Sequence, residues 1–193
     1  MALSHAEREQ LIAQYGAGPL RLKAALARVP KDAMTWRPAP AEWSAHEIVC
    51  HCADSETNAY ARIRLLLAEK DPLIQGYDQD HWARTFDYHS RPLEPALAVV
   101  EAVRANTLAL IRGLPDEAWA REGRHTESGR YRAEDWLRIY ADHLEGHARQ
   151  IENNVAAFQR RRVRRRCPDH HERLGPAALI GPARAGRPVV PAP

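Results

Sequence analysis

Trp136-Leu137-Arg138-Ile139-Tyr140-Ala141-Asp142-His143-Leu144-Glu145-Gly146-His147-Ala148-Arg149-Gln150-Ile151 decides how this chain is read. It lies in a run, about 132–160, in which Trp136, Ile139, Tyr140, His143, His147, Ile151, Val155 and Phe158 recur at helical spacing. His143 and His147 are four apart and share one helix face, and that face is the apolar one. Two inward imidazoles need partners for their nitrogens. Neighbouring carboxylates and hydroxyls can supply them; so can a metal ion. With 10 histidines in 193 positions, chance supplies roughly half of one such pair, so spacing alone does not choose between these.

Three further helices are expected. Residues 4–29 align Leu11, Ile12, Tyr15, Leu22, Ala25 and Leu26, with a kink or break at Gly16, Gly18 and Pro19. A second begins at Ser44, where Glu47 completes a capping box, and runs to about Glu69 with Ile48, Cys52, Ala59, Ile63 and Leu66 inward. The third, 93–113, follows Pro92 and aligns Leu93, Leu97, Val100, Leu108 and Ile111. No run alternates as a strand does. Four amphipathic helices in one small chain give an all-α four-helix bundle over residues 1–158.

Two connections are long: 70–92, with Tyr77, His81, Trp82, Phe86, Tyr88 and His89, and 114–131, with Trp119, His125 and Tyr131. Such loops serve binding or simply cross over between distant helices. Residues 159–193 open with an arginine run and close rich in Pro, Ala and Gly, which predicts a disordered tail. The net charge of +3 divides unevenly. Residues 1–158 hold 19 Lys+Arg against 23 Asp+Glu, whereas 159–193 hold 9 Arg against Asp169 and Glu172. The body is acidic, so a nucleic-acid-binding face is not indicated. No apolar run has the roughly 18 residues of a membrane span, and the start has no apolar signal stretch. Three cysteines make no disulfide framework. The expected location is the cytoplasm.

No G-x-S-x-G turn, H-E-x-x-H, Walker loop or G-x-G-x-x-G is present. His51 does lie on the inward stripe of the second helix, and three histidines converge if that stripe meets His143 and His147. Three protein ligands with a fourth position open is the pattern of a catalytic metal site. Asp54, three after His51, is placed to hold an imidazole by its other nitrogen. Gln150 stands one turn from a ligand in the same way. Cys50 and Cys52 flank His51 about 100° to either side, so they read as small buried residues.

Four segments in order carry a resemblance: Trp36-Arg37-Pro38-Ala39-Pro40-Ala41-Glu42-Trp43-Ser44, the stretch from Glu47 to Glu56, Leu114-Pro115-Asp116-Glu117-Ala118-Trp119, and Tyr140 to Ile151. Together they resemble the DinB/YfiT-like superfamily over about residues 1–158. The resemblance implies an up-down-down-up bundle, a homodimer, and a divalent ion held by His51, His143 and His147. It also implies activities of the kind assigned in that family: thiol-dependent S-transfer, a mycothiol-dependent isomerisation, or metal-dependent hydrolysis.

The expected function is therefore a divalent-metal-dependent enzyme, hydrolase or thiol S-transferase, acting on a small molecule. Zinc or nickel would activate water or a low-molecular-weight thiol, and Tyr77 and Trp82 would wall the substrate pocket. The alternative is a non-catalytic metal-binding stress protein.

Overall fold

Residues 3–166 are described by a computed structural model of the chain. In order they form α1 (His5–Leu26), α2 (Ala45–Ala68), β1 (Leu73–Ile74), α3 (Gln79–Thr85), α4 (Leu93–Ile111), β2 (Glu122–His125), β3 (Gly129–Arg132) and α5 (Ala133–Arg166). The capping box at Ser44 and Glu47 forms as the spacing dictates, and Ser4 with Glu7 builds a second one at the start of α1.

The direction of each helix follows from who touches whom. Along α1, the Leu3 amide reaches Glu134 and Arg28 reaches Glu152, so α1 and α5 run parallel. Along α2, Asp54 meets Tyr88 just before α4, Glu56 meets Arg104, and Arg64 meets Asn106, so α2 and α4 are also parallel. Trp43 meets Asn154, whereas Ala59 accepts from the Trp136 indole, so α2 opposes α5. This is the up-down-down-up order. It requires the connection after α2 to travel back along the whole bundle, which accounts for its length.

The core falls into two apolar blocks. One gathers Tyr15, Ile63, Leu66, Trp136 and Tyr140; the other gathers Leu22, Ile48, Cys52, Leu144 and Ile151. Glu56, Arg104 and His143, all buried, lie between them. Both described cysteines, Cys50 and Cys52, are buried free thiols.

The expected break in α1 does not occur. Gly16 and Gly18 serve close approach instead: a Cβ on Gly18 would lie 3.1 Å from Leu144 Cβ and 3.2 Å from the Arg104 guanidinium. Pro19 has no N–H to give the Tyr15 carbonyl one turn earlier, and Arg104 Nη1 donates to that carbonyl at 2.7 Å. The helix is therefore continuous because a side chain of α4 replaces its missing donor. Gly18→Ala is expected to destabilise by about 1–3 kcal/mol through overpacking, against a gain of about 1 in helix propensity. Gly16→Ala would press only on the flexible Leu108 side chain and is expected to be neutral or mildly stabilising. Urea unfolding of the two variants checks the contrast; equal effects would refute it.

The strands were not visible as alternation because they are too short. β1 pairs parallel with β2, and β2 pairs antiparallel with β3, so the two long connections are stitched to each other at one end of the bundle. The helix after His147 also outruns expectation, since α5 reaches Arg166. Arginine is a good helix former; Arg162 pairs with Asp32 at 3.4 Å, and Arg161 lies over the Trp36 ring. The remainder of the expected disordered tail lies outside the described residues. Among the described residues, no helix is long and apolar enough to cross a membrane.

Candidate metal centre

The antiparallel packing of α2 on α5 sets His51 against His143 and His147. The His51 ring lies 5.6 Å from that of His143 and 4.8 Å from that of His147, and the latter two are 4.7 Å apart, each pair edge to face. One nitrogen from each histidine falls within 4.8 Å of the others, and all three residues are buried. Burial, and the company of the other two imidazoles, hold His51 well below its usual pKa. Burial and the neighbouring His143 imidazole bring His147 down to about 3. Both rings are neutral at physiological pH, which is the state that binds metal.

The rings are also fixed in orientation. His143 Nδ1 donates to Glu56 Oε1 at 2.8 Å, and His147 Nδ1 donates to Gln150 Oε1 at 3.0 Å. Each donation leaves the lone pair on Nε2. His143 Nε2 receives only the Ser55 hydroxyl, at 3.2 Å. On His51, Nδ1 is buried without any hydrogen-bond partner, a state that costs free energy unless something else occupies that nitrogen. Trp43 covers the His51 ring at 4.7 Å. Three buried imidazoles, two of them held by their Nδ1 atoms and one with an orphaned nitrogen, fit a divalent transition-metal ion.

Glu56 is the part that sequence reasoning missed. Burial alone would raise its pKa, but the charge of Arg104 and the hydrogen bonds from His143 and Arg104 outweigh burial and hold it at about 2. Arg104 grips it by two bonds, Nε to Oε2 at 2.6 Å and Nη2 to Oε1 at 2.7 Å. A buried carboxylate, itself anchored by a buried guanidinium, thus fixes one imidazole. Asp54, expected in that role, instead accepts the Tyr88 hydroxyl at 2.6 Å. That bond helps pin the returning connection, together with His89 on Ser44 and Glu47. Gln150 lies one turn on from His147 and meets its Nδ1.

Of the two expected pocket residues, Tyr77 is buried and stacks on Trp82 at 4.4 Å. Trp82 is half-buried at the surface of the connection. A separate cleft of about 280 Å³ opens beside Trp43, with Arg37, Glu47, Arg84 and Tyr88 in its walls.

The sequence profile of the DinB superfamily matches residues 14–151. The chain belongs to the DinB superfamily. It is 35% identical over 109 residues to a protein of Oceanobacillus iheyensis named "Putative metal-dependent hydrolase", a match covering 56% of this chain and 63% of that protein. It is 26% identical to YfiT of Bacillus subtilis, over 78% of this chain and 85% of YfiT. The solved structure of YfiT superimposes with a TM-score of 0.73, at 24% identity, covering 84% of this chain and 91% of YfiT, which is described as having an unusual four-helix bundle topology. That likeness bears on the fold.

The depressed histidine pKa values predict a pH effect on the metal-free protein. His51 and His147 are neutral in both states above their unfolded value of 6.5. Below it, the unfolded chain takes up protons that the native state refuses, so stability falls as pH drops. Below about 4.5, Glu47 and Glu56, both held at about 2 in the fold, add a second decline. Tm measured on metal-free protein should fall between about pH 7.5 and 5.5, and the fall should shrink in His147→Leu. A flat profile would contradict neutral, buried imidazoles.

Proposed function

We propose that His51, His143 and His147 hold a divalent cation, zinc or nickel, and that the protein is a metal-dependent hydrolase or thiol S-transferase acting on a small molecule. The observation that carries this reading is the convergence of three buried imidazoles, two of them held through Nδ1 by Glu56 and Gln150. The relatives that carry the name "Putative metal-dependent hydrolase" support it. A cation held by three protein groups lowers the pKa of a coordinated water or thiol and so makes a nucleophile available at neutral pH.

The chain's own residues set the conditions for that chemistry. Glu56 and Gln150 accept the Nδ1 protons and keep the lone pairs directed to one point. Trp43 shields His51 from water. The Ser55 hydroxyl, on the edge of the cluster, is positioned to orient a reacting group, and Tyr77 with Trp82 walls the approach from the connection between α2 and α4. The depth of the cluster also favours a second reading, in which the ion only braces the bundle.

The test is a panel of activated esters and of thiol–electrophile pairs, run on zinc- and nickel-loaded protein beside His143→Ala. Turnover that requires the metal and is lost in the variant supports the enzyme. Turnover that persists in metal-free protein would refute it. A fold that needs metal, with no turnover across the panel, would transfer the site to the bracing role.

A further inference from the structure

Beside the histidine cluster lies a second group of buried polar residues that the metal reading does not use. Arg62 of α2 is buried, and no carboxylate among the described residues comes within ion-pair distance of it. Two contacts are made by its five N–H donors: Nη1 to the Tyr140 hydroxyl at 3.1 Å, and Nη2 to the Gln75 carbonyl. Buried guanidinium groups are otherwise found paired, as Arg104 is here with Glu56. Beside Arg62 stands the buried phenol of Tyr77, whose hydroxyl makes no close hydrogen bond and has the Ser55 hydroxyl as its neighbour. The Arg62 guanidinium lies 5.9 Å from the centre of the Tyr77 ring. Ser55 borders both Tyr77 and Tyr140 and is also the hydroxyl on His143 Nε2. The nearby carboxylate of Asp54 is already taken by Tyr88.

We infer that Arg62 and the hydroxyl of Tyr77 form a carboxylate-binding subsite adjoining the histidine cluster, so that the substrate is a small carboxylic acid bound as its anion. A buried cation with spare N–H donors and a neighbouring phenol without a close partner are complementary to one acceptor-only anion. One guanidinium balances one negative charge, which matches a carboxylate and leaves a phosphate dianion overcharged. The subsite deepens the proposed function and relies on it for the reacting group, but its anion affinity is independent of the metal. Gln75 and Tyr77 both belong to the connection after α2, so the carboxylate would also tie that connection to the bundle.

The test titrates acetate, small enough for a buried site, into full-length protein, metal-free and zinc-loaded, and follows tryptophan fluorescence, since Trp82 stacks on Tyr77. Saturable binding is expected in both forms. Tyr77→Phe removes a hydroxyl with no close hydrogen bond, so Tm without acetate should change little, while acetate affinity should fall roughly tenfold or more. Arg62→Lys keeps the charge, loses the fork and should also weaken binding. Equal affinity in Tyr77→Phe and the parent, or no acetate binding at all, would overturn the subsite. Tighter binding of inorganic phosphate than of acetate would overturn the carboxylate assignment. Binding that vanishes with the metal, and in His143→Ala, would place acetate on the ion and overturn the inference. Acetate binding retained in a chain that takes up no metal would leave the subsite standing while the metal reading failed.

Discussion

Arg104→Met is expected to cost about 3–5 kcal/mol of folding stability, the usual penalty for leaving one member of a buried ion pair alone. Arg104 is almost wholly enclosed, and its loss strands the Glu56 carboxylate between the two apolar blocks of the core. It would also leave the Tyr15 carbonyl, which Pro19 cannot serve, without a donor, and it would remove a bond to the Tyr140 carbonyl at 2.8 Å. Replacing both members by apolar residues of similar volume, Arg104→Met with Glu56→Leu, should recover much of the loss, because no uncompensated charge remains. The double variant should still bind metal poorly, since His143 then lacks the acceptor that fixes its tautomer. Urea unfolding measures the first effect and metal titration the second. A single-variant loss under about 1 kcal/mol would mean that this pair does not organise the core.

Metal removal is the second large effect. If the three histidines hold an ion, zinc at a hundred times its dissociation constant stabilises the fold by about 2.7 kcal/mol. A chelator should therefore lower Tm in the parent chain. In His147→Ala, zinc and chelator should both leave Tm unmoved. Glu56→Gln should weaken zinc binding by roughly 10–100-fold while all three ligands remain, the scale seen when a ligand's outer partner is altered. A Tm unchanged by zinc in the parent chain would contradict this.

The helices and the histidine face were legible because long amphipathic periods leave a strong pattern, and a capping box such as Ser44–Glu47 marks where one begins. Glu56 and Arg104 were legible in principle. Each interrupts an apolar stripe at helical spacing, Glu56 between Cys52 and Ala59, Arg104 four after Val100. Two opposite charges on facing inward stripes imply a buried pair, and the pair in turn implies something for the carboxylate to hold. Attention to Asp54, nearer to His51 in sequence, obscured that. The three strands could not be read, since β1 has two residues and pairs only with a segment about fifty residues away. The continuity of α1 was hidden for a related reason: the donor that replaces the missing one at Pro19 comes from α4.

The central claim is that this chain carries one divalent ion on His51, His143 and His147. Its most direct test is metal content and zinc titration of full-length protein in which Cys167, His170 and His171 are replaced by alanine, so that only the bundle can bind tightly. The account predicts about one ion per chain, lost on His51→Ala, on His143→Ala and on His147→Ala alike. Binding that survives any one of these substitutions at unchanged affinity, or a folded chain that takes up neither zinc nor nickel, would contradict it.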